Sequence, residues 1–204
     1  MYIPDTYKNK DSEEIKAFLK ANAFGILITS QDSQSLATHI PLEFVQKEDG
    51  TGILHAHISK ANAQCDHLSD GAEALCVFNG PHSYISSSWY DFEEVPTWNY
   101  IAVHVRGTIR VLDKQELWNS LKLLTDKYEA PQQNPVQLET LSDKTMRQIH
   151  GIIGFEIAIN SMEAAYKLSQ NRDDKNHEAV VDKLHKTGER GSIAIANEMQ
   201  KNRE

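Results

Sequence analysis

Short runs of alternating apolar and polar residues fill much of this chain, and apolar stripes at helical spacing separate them. Ile15, Phe18 and Leu19 follow Asp11 and Glu14, a pair at capping-box spacing, so the pattern predicts a helix over 11–21. The run at 24–29 predicts a short buried strand. Residues 35–45 alternate as one strand, with Leu36, Thr38, Ile40, Leu42 and Phe44 on one face and His39 and Glu43 on the other. The segment from Glu48 to Gly52 reads as a hairpin turn into a strand over 53–58. Then come a short helix over 62–69 and a strand over 73–78 ended by Gly80-Pro81. A long strand over 98–112 is expected to bend or bulge near Gly107. Asp113 and Glu116 repeat the capping-box spacing ahead of a helix to about 128. A short helix over 142–149 precedes a last strand over 151–159, and past 171 two helical patterns (176–186 and 192–201) flank Gly188 and Gly191.

About six strands at hairpin and meander spacing, with few helices, predict a mainly β antiparallel barrel with flanking helices. A βα alternation is absent, which argues against a doubly wound sheet. The expected organisation is a barrel domain over 1–170 and a helical extension over 171–204.

Charge narrows the function. The 204 residues carry 21 basic and 29 acidic side chains, a net −8. A general nucleic-acid binder needs a basic footprint to displace phosphate counterions, so this balance argues against one. No apolar run approaches the roughly 18 residues of a membrane span, and the N-terminus has no apolar core of a signal peptide. A cytoplasmic protein is the expectation. Cys65 and Cys76 form no Cys-x-x-Cys pair, which reads as two free thiols in a reducing compartment and no metal site.

Candidate chemistry gathers at four places. His55 and His57 share a strand face, which suits a metal pair, two groups against a planar ligand, or two half-buried histidines bonded to neighbours. Nothing nearby supplies a third and fourth ligand at zinc or iron spacing. Ser59, Lys60, Ala61 and Asn62 lie at a strand-to-helix junction, where a hydroxyl, an ammonium and backbone N–H groups suit a phosphate monoester. Trp98 and Asn99 point to opposite faces after Pro96; the indole can stack on a planar ring, or can seal a barrel corner. Lys167 to Arg172 is a polar run that is either a solvated loop or, through Gln170 and Arg172, a contact for a phosphate or a partner subunit.

The ordered segments MYIP, FGILIT, ATHIPL, HAHISKAN, FNGPHSYIS, SWY, VPTWNY, HVRG, GFEI and KLSQNR resemble the PaiB-type proteins over nearly the whole chain. That family is described as FMN-binding negative transcriptional regulators linked to protease synthesis and sporulation. It is related to the FMN-binding split barrels, which include pyridoxamine-phosphate oxidases and flavin reductases. The resemblance implies a six-stranded antiparallel Greek-key split barrel, FMN as cofactor, and a homodimer with flavin at the subunit interface. It makes Thr38, His39, His57, Trp98 and Asn99 ligand or interface positions, beside the phosphate candidates Ser59, Lys60, Ala61 and Asn62. Gln170 and Arg172 are then expected to reach the site from the other subunit.

The chain departs from the family pattern in places. Lys60 stands where an arginine is usual and loses bidentate geometry, Cys65 replaces a tryptophan, and Ser87 replaces a proline. The resemblance implies a regulator of protease-synthesis and sporulation genes, a repressor. Direct DNA contact would fall to the last helix, through Asn197, Gln200, Lys201 and Arg203, in a tail whose seven basic and seven acidic side chains cancel. The alternatives are a flavin-dependent oxidoreductase acting on a small molecule, with His39 or His57 as proton donor, and a haem-handling split barrel.

Overall fold

A computed structural model describes residues 1–203. In chain order its regular elements begin with β1 (Lys8–Asn9), α1 (Ser12–Ala21), β2 (Phe24–Gln31), β3 (Gln34–Pro41), β4 (Glu43–Gln46), β5 (Gly52–Ser59) and β6 (Glu73–Ile85). They continue with β7 (Thr97–Val111), α2 (Lys114–Glu129), α3 (Asp143–Met146), β8 (Ile152–Lys167), α4 (Asp174–Thr187) and α5 (Arg190–Lys201). The strands hydrogen-bond in the order β3-β2-β6-β7-β8-β5-β4, and β1 adds to β8. The fold is a mainly β antiparallel sheet with flanking helices, open at β3 and β4. The expected six strands are recovered when two-residue β1 is set aside and β3 and β4 are counted as one interrupted strand.

That interruption corrects the single strand expected over 35–45. Pro41 ends β3, and Leu42 donates its N–H to the Ala23 carbonyl at 2.8 Å instead of continuing a ladder. Beyond it β4 pairs with β5, Glu43 opposite His55, while β3 pairs with β2. A proline has no N–H to give, so the chain changes partner there.

Two further strands run past their expected ends. Strand β6 continues through Gly80-Pro81 to Ile85, and its buried positions shift from Ala74, Cys76 and Phe78 to Ser83 and Ile85. An odd step in a period-two pattern is the mark of an irregularity that re-aims a strand without ending it. Strand β8 continues through Asn160-Ser161 to Lys167. In β7 the outcome is the reverse. Odd-numbered positions stay buried without a break from Asn99 to Ile109, so no bulge occurs at Gly107. The glycine is there because a Cβ would lie 2.3 Å from the Ala158 carbonyl oxygen.

The chain forms two compact units. One comprises residues 1–15, 78–104 and 163–204; the other comprises 16–77 and 105–162. In the first, Phe78, Ile85, Val103, Val180, Leu184 and Ile195 are fully buried. Helix α4 stops at Gly188, whose φ of 70° is open to glycine at little cost, and α5 begins two residues later. The expected extension at 171–204 is therefore a helix pair, counted within this unit. In the second, Leu19, Leu27, Leu42, Leu54, Phe155 and Ile157 are fully buried. Each such side chain contributes about 1.5–3 kcal/mol when removed from water. The capping box ahead of α2 forms as expected: Asp113 Oδ1 accepts the Glu116 N–H at 2.8 Å, and Glu116 Oε2 accepts the Asp113 N–H at 2.9 Å. Both cysteines are free thiols, and burial pushes the Cys76 thiol up to about 12. Among the described residues no helix is long and apolar enough to cross a membrane.

Candidate functional site

Within the unit of residues 16–77 and 105–162, β5 and the turn after it carry most of the expected positions. His57 lies opposite Gly154 of β8 and is half-buried; burial pulls its imidazole below the ordinary value. Burial does the same to His55, opposed by the Glu156 carboxylate 3.7 Å from its Nε2. The ladder extends one bond beyond the strand, from the Lys60 N–H to the Gly151 carbonyl at 2.9 Å. Ser59 then accepts three donors: its Oγ takes the Ala61 N–H at 3.2 Å, and its carbonyl takes the Asn62 N–H at 2.9 Å and the Cys65 thiol at 3.1 Å.

The backbone donors expected to face a phosphate are thus engaged within the chain. The helix expected over 62–69 is a five-residue 3-10 turn, Ala63–His67. The groups left to a phosphate are side chains, the exposed Ser59 hydroxyl and the exposed Lys60 ammonium. Lys60 has no ion-pair partner among the described residues. A hydroxyl and an uncommitted ammonium on consecutive exposed residues fit a phosphate monoester.

Thr38 and Asn62 meet across this turn, and the residue that joins them is one the pattern did not single out. Gln64 is fully buried. Its Oε1 accepts the Thr38 hydroxyl at 2.5 Å, and its amide donates to Thr29 Oγ1 at 3.0 Å and to the Leu27 and Leu36 carbonyls at 3.3 Å each. Asn62 closes the set, donating to Thr38 Oγ1 at 3.0 Å and accepting the Gln64 N–H at 2.8 Å. Every polar atom of the Gln64 side chain is satisfied, which is what makes its burial affordable in a core of leucines. Nothing local marks Gln64, because a surface turn holds glutamine equally well. His39 lies outside this network, exposed, with its ring 6.4 Å from that of Phe24.

The other expected positions belong to the unit of residues 1–15, 78–104 and 163–204. Trp98 and Asn99 do point opposite ways. Trp98 is 52% exposed, with His82 and Tyr84 at ring-centre distances of 6.0 and 6.1 Å, so three rings form an open aromatic surface. Asn99 is fully buried, and its amide donates to Ser169 Oγ at 2.9 Å and to Met199 Sδ at 3.3 Å.

Gln170 closes a backbone turn: it accepts the Leu168 N–H at 2.8 Å and donates to the Tyr166 carbonyl at 2.7 Å. That turn passes through Ser169, whose φ is 56°. Arg172 lies 4.8 Å from the Tyr90 ring and 5.6 Å from that of Phe92, and it pairs with Glu94 at 2.5 Å. Of these four residues, Trp98 alone presents its side chain to solvent without an internal polar bond. The others already spend their hydrogen-bonding groups on this unit's own packing.

A family model described as "Putative FMN-binding domain" matches residues 1–161. The chain belongs to this FMN-binding domain family. FMN is the cofactor by which the family is described. Among curated relatives the chain is 42% identical over 185 residues to the Bacillus subtilis protein named Protease synthase and sporulation protein PAI 2, covering 90% of this chain and 89% of that one. It is 32% identical over 154 residues to an uncharacterized protein of Saccharomyces cerevisiae, covering 63% of this chain and 90% of the other. Two solved structures share the fold. They are the FAD and haem binding protein of Mycobacterium smegmatis, with TM-score 0.63, 18% identity and coverage of 85% and 79%, and the flavocytochrome Anf3 of Azotobacter vinelandii, with TM-score 0.62, 15% identity and coverage of 87% and 78%. The split-barrel type expected from the sequence is thus the fold observed.

Proposed function

We propose that this family member binds FMN with the phosphate on Ser59 and Lys60; independently, the exposed Trp98 ring offers a stacking face to a planar ligand. The observation that carries the reading is that Ser59 and Lys60, consecutive residues at the end of β5, are both exposed and that Lys60 has no ion-pair partner among the described residues. When bound, FMN supplies reversible one- and two-electron chemistry. The chain's own residues hold and orient it, and the Gln64 network keeps the turn that carries Lys60 in one conformation. The homodimer belongs to the same proposal, and so does a cytoplasmic setting.

The test compares two ligands. Lys60→Ala is expected to weaken FMN by roughly tenfold or more while leaving riboflavin unchanged, because a hydrogen bond to a charged group contributes about 1.5–3 kcal/mol. Equal loss for both ligands removes Lys60 from the phosphate role.

The regulatory role proposed is control of protease synthesis and sporulation, in keeping with the name of the 42% identical Bacillus relative. We assign it to a ligand-dependent or partner-dependent route, not to DNA reading by α5. Ile195, Ala196 and Met199 of that helix are fully buried. Lys201 pairs with Glu14 at 3.2 Å, and Arg203 pairs with Asp174. The basic groups that would meet phosphates are thereby neutralised at home. In a gel-shift titration at physiological salt, purified protein is expected to leave its target promoter fragment unshifted. A sequence-specific shift abolished by Asn197→Ala with Gln200→Ala would return α5 to the DNA.

A further inference from the structure

A cavity of about 400 Å³ opens beside the first turn of α2, in the unit of residues 16–77 and 105–162. Its apolar walls are Leu112, Leu117, Trp118, Ile149 and Ile153, and three basic residues, Lys60, Lys114 and His150, share the lining. Lys114 and His150 are exposed, and none of the three has an ion-pair partner among the described residues. The lining has one carboxylate, Asp113, and that group is committed to the α2 cap through the Glu116 N–H at 2.8 Å. In a chain of net charge −8, three basic groups left unpaired around one apolar hollow are a local reversal of sign. The shape of the hollow depends on Gly154, where a Cβ would lie 2.6 Å from Leu117 Cδ1.

We propose that this cavity binds a small organic anion, a monocarboxylate with an apolar body of one or two rings. The size follows from the volume, near the lower end of the roughly 300–1,000 Å³ typical of small-molecule sites. The body lies against Leu117, Trp118 and Ile153, where burying it displaces water from apolar surface and the indole offers a stacking face. The carboxylate accepts from the Lys114 ammonium and the His150 imidazole, charge-assisted bonds that neither group makes within the chain. Lys60, the third basic residue of the lining, is shared with the phosphate position proposed above. The inference goes beyond the FMN reading and does not rest on it. Such a site gives the family member a metabolite input next to its flavin phosphate, through Lys114 and His150.

The test uses the full-length, flavin-free protein titrated calorimetrically with 2-naphthoate, 2-naphthalenemethanol and 2-naphthylmethylamine. Naphthoate is expected to saturate a single site, with the neutral and cationic analogues at least tenfold weaker. Lys114→Glu and His150→Glu are exposed substitutions whose folding is checked by melting temperature. Each is expected to lower naphthoate affinity by roughly tenfold or more, with FMN affinity unchanged. Absence of saturable binding overturns the proposal. So does equal affinity for the alcohol, or wild-type naphthoate affinity in both charge-reversed variants. The two readings fail separately: Lys60→Ala protein that keeps its FMN affinity removes the phosphate site, while naphthoate binding to that same protein still supports the cavity.

Discussion

Arg110→Met is expected to destabilise the protein by about 3 kcal/mol at neutral pH, the low end for breaking a buried ion pair by removing one partner. The reason lies in Glu156, which is 5% exposed in the middle of β8. Its Oε1 accepts from Arg110 Nε at 2.9 Å and from Lys47 Nζ at 3.1 Å. Burial by itself pushes the Glu156 carboxyl up, but these two donors outweigh it and hold the group below its ordinary value. Arg110 also grips Glu116 with two bonds of 2.8 and 2.9 Å, and Glu116 is the reciprocal partner in the α2 capping box. Taking away the guanidinium leaves a buried carboxylate with one half-exposed lysine and loosens the helix start.

Glu156→Leu should cost less, because the partners it strands, Lys47 and Arg110, are 42% and 44% exposed and water can solvate them. The double variant Arg110→Met with Glu156→Leu should recover most of the loss, since replacing both members removes the stranded charge. Urea unfolding of the three variants checks this, and additive losses in the double variant would contradict it.

The same network sets an acid limit. Arg110's hydrogen bonds hold the Glu116 carboxyl at about 2, against an ordinary 4.5. A carboxylate depressed in the folded state binds fewer protons there than in the unfolded chain. Its contribution is therefore complete above about 4.5 and is lost as pH falls toward 2. The wild type should lose stability progressively across that window, and Arg110→Met should lose less of it. Identical acid profiles for the two would show that other carboxylates control the transition.

Gly107→Ala is the second large effect, also about 3 kcal/mol, at the upper end of overpacking costs. The added methyl would meet the Ala158 carbonyl oxygen at 2.3 Å and Ile157 Cγ2 at 2.5 Å. The nearest of these atoms is backbone, in a strand whose Gly154 carbonyl also accepts the N–H of Leu112, the residue just past β7, at 2.9 Å. No rotamer change relieves such a contact; β7 and β8 must separate there. The usual gain from stiffening the unfolded chain, about 0.4–1 kcal/mol, is too small to offset it. Gly154→Ala is the control. Its methyl meets the far end of the Leu117 side chain, which can turn aside, so it should be the milder of the two. Thermal unfolding ranks them, and a neutral Gly107→Ala would mean that the strands do not approach this closely.

Much of the local structure was legible from spacing. The alternation from Asn99 to Ile109, the Asp113–Glu116 cap and the glycine stop after α4 each depend on residues within a few positions of one another, where side-chain direction and backbone preference act directly. The opposite facing of Trp98 and Asn99 was legible for the same reason. So was the family itself, whose motifs are continuous strings.

What only the tertiary structure decided was which polar group met which. Asn99 and Ser169 are 70 positions apart, and Arg110 and Glu156 are 46 apart. Nothing in either local pattern says that the Asn99 amide is spent on a serine of the turn after β8 and a methionine sulfur, or that Arg172 pairs with Glu94 near two rings. Gln64 was invisible because a glutamine's burial depends on having Thr29, Thr38 and two carbonyls converge on it, from segments about 26 to 37 positions away. Strands β3 and β4 were read as one because alternation records faces, not partners, and the partner changes at Pro41. Periodicity is set by the covalent geometry of neighbouring residues, whereas a buried polar group is stable only where the packed chain brings its complement within about 3 Å.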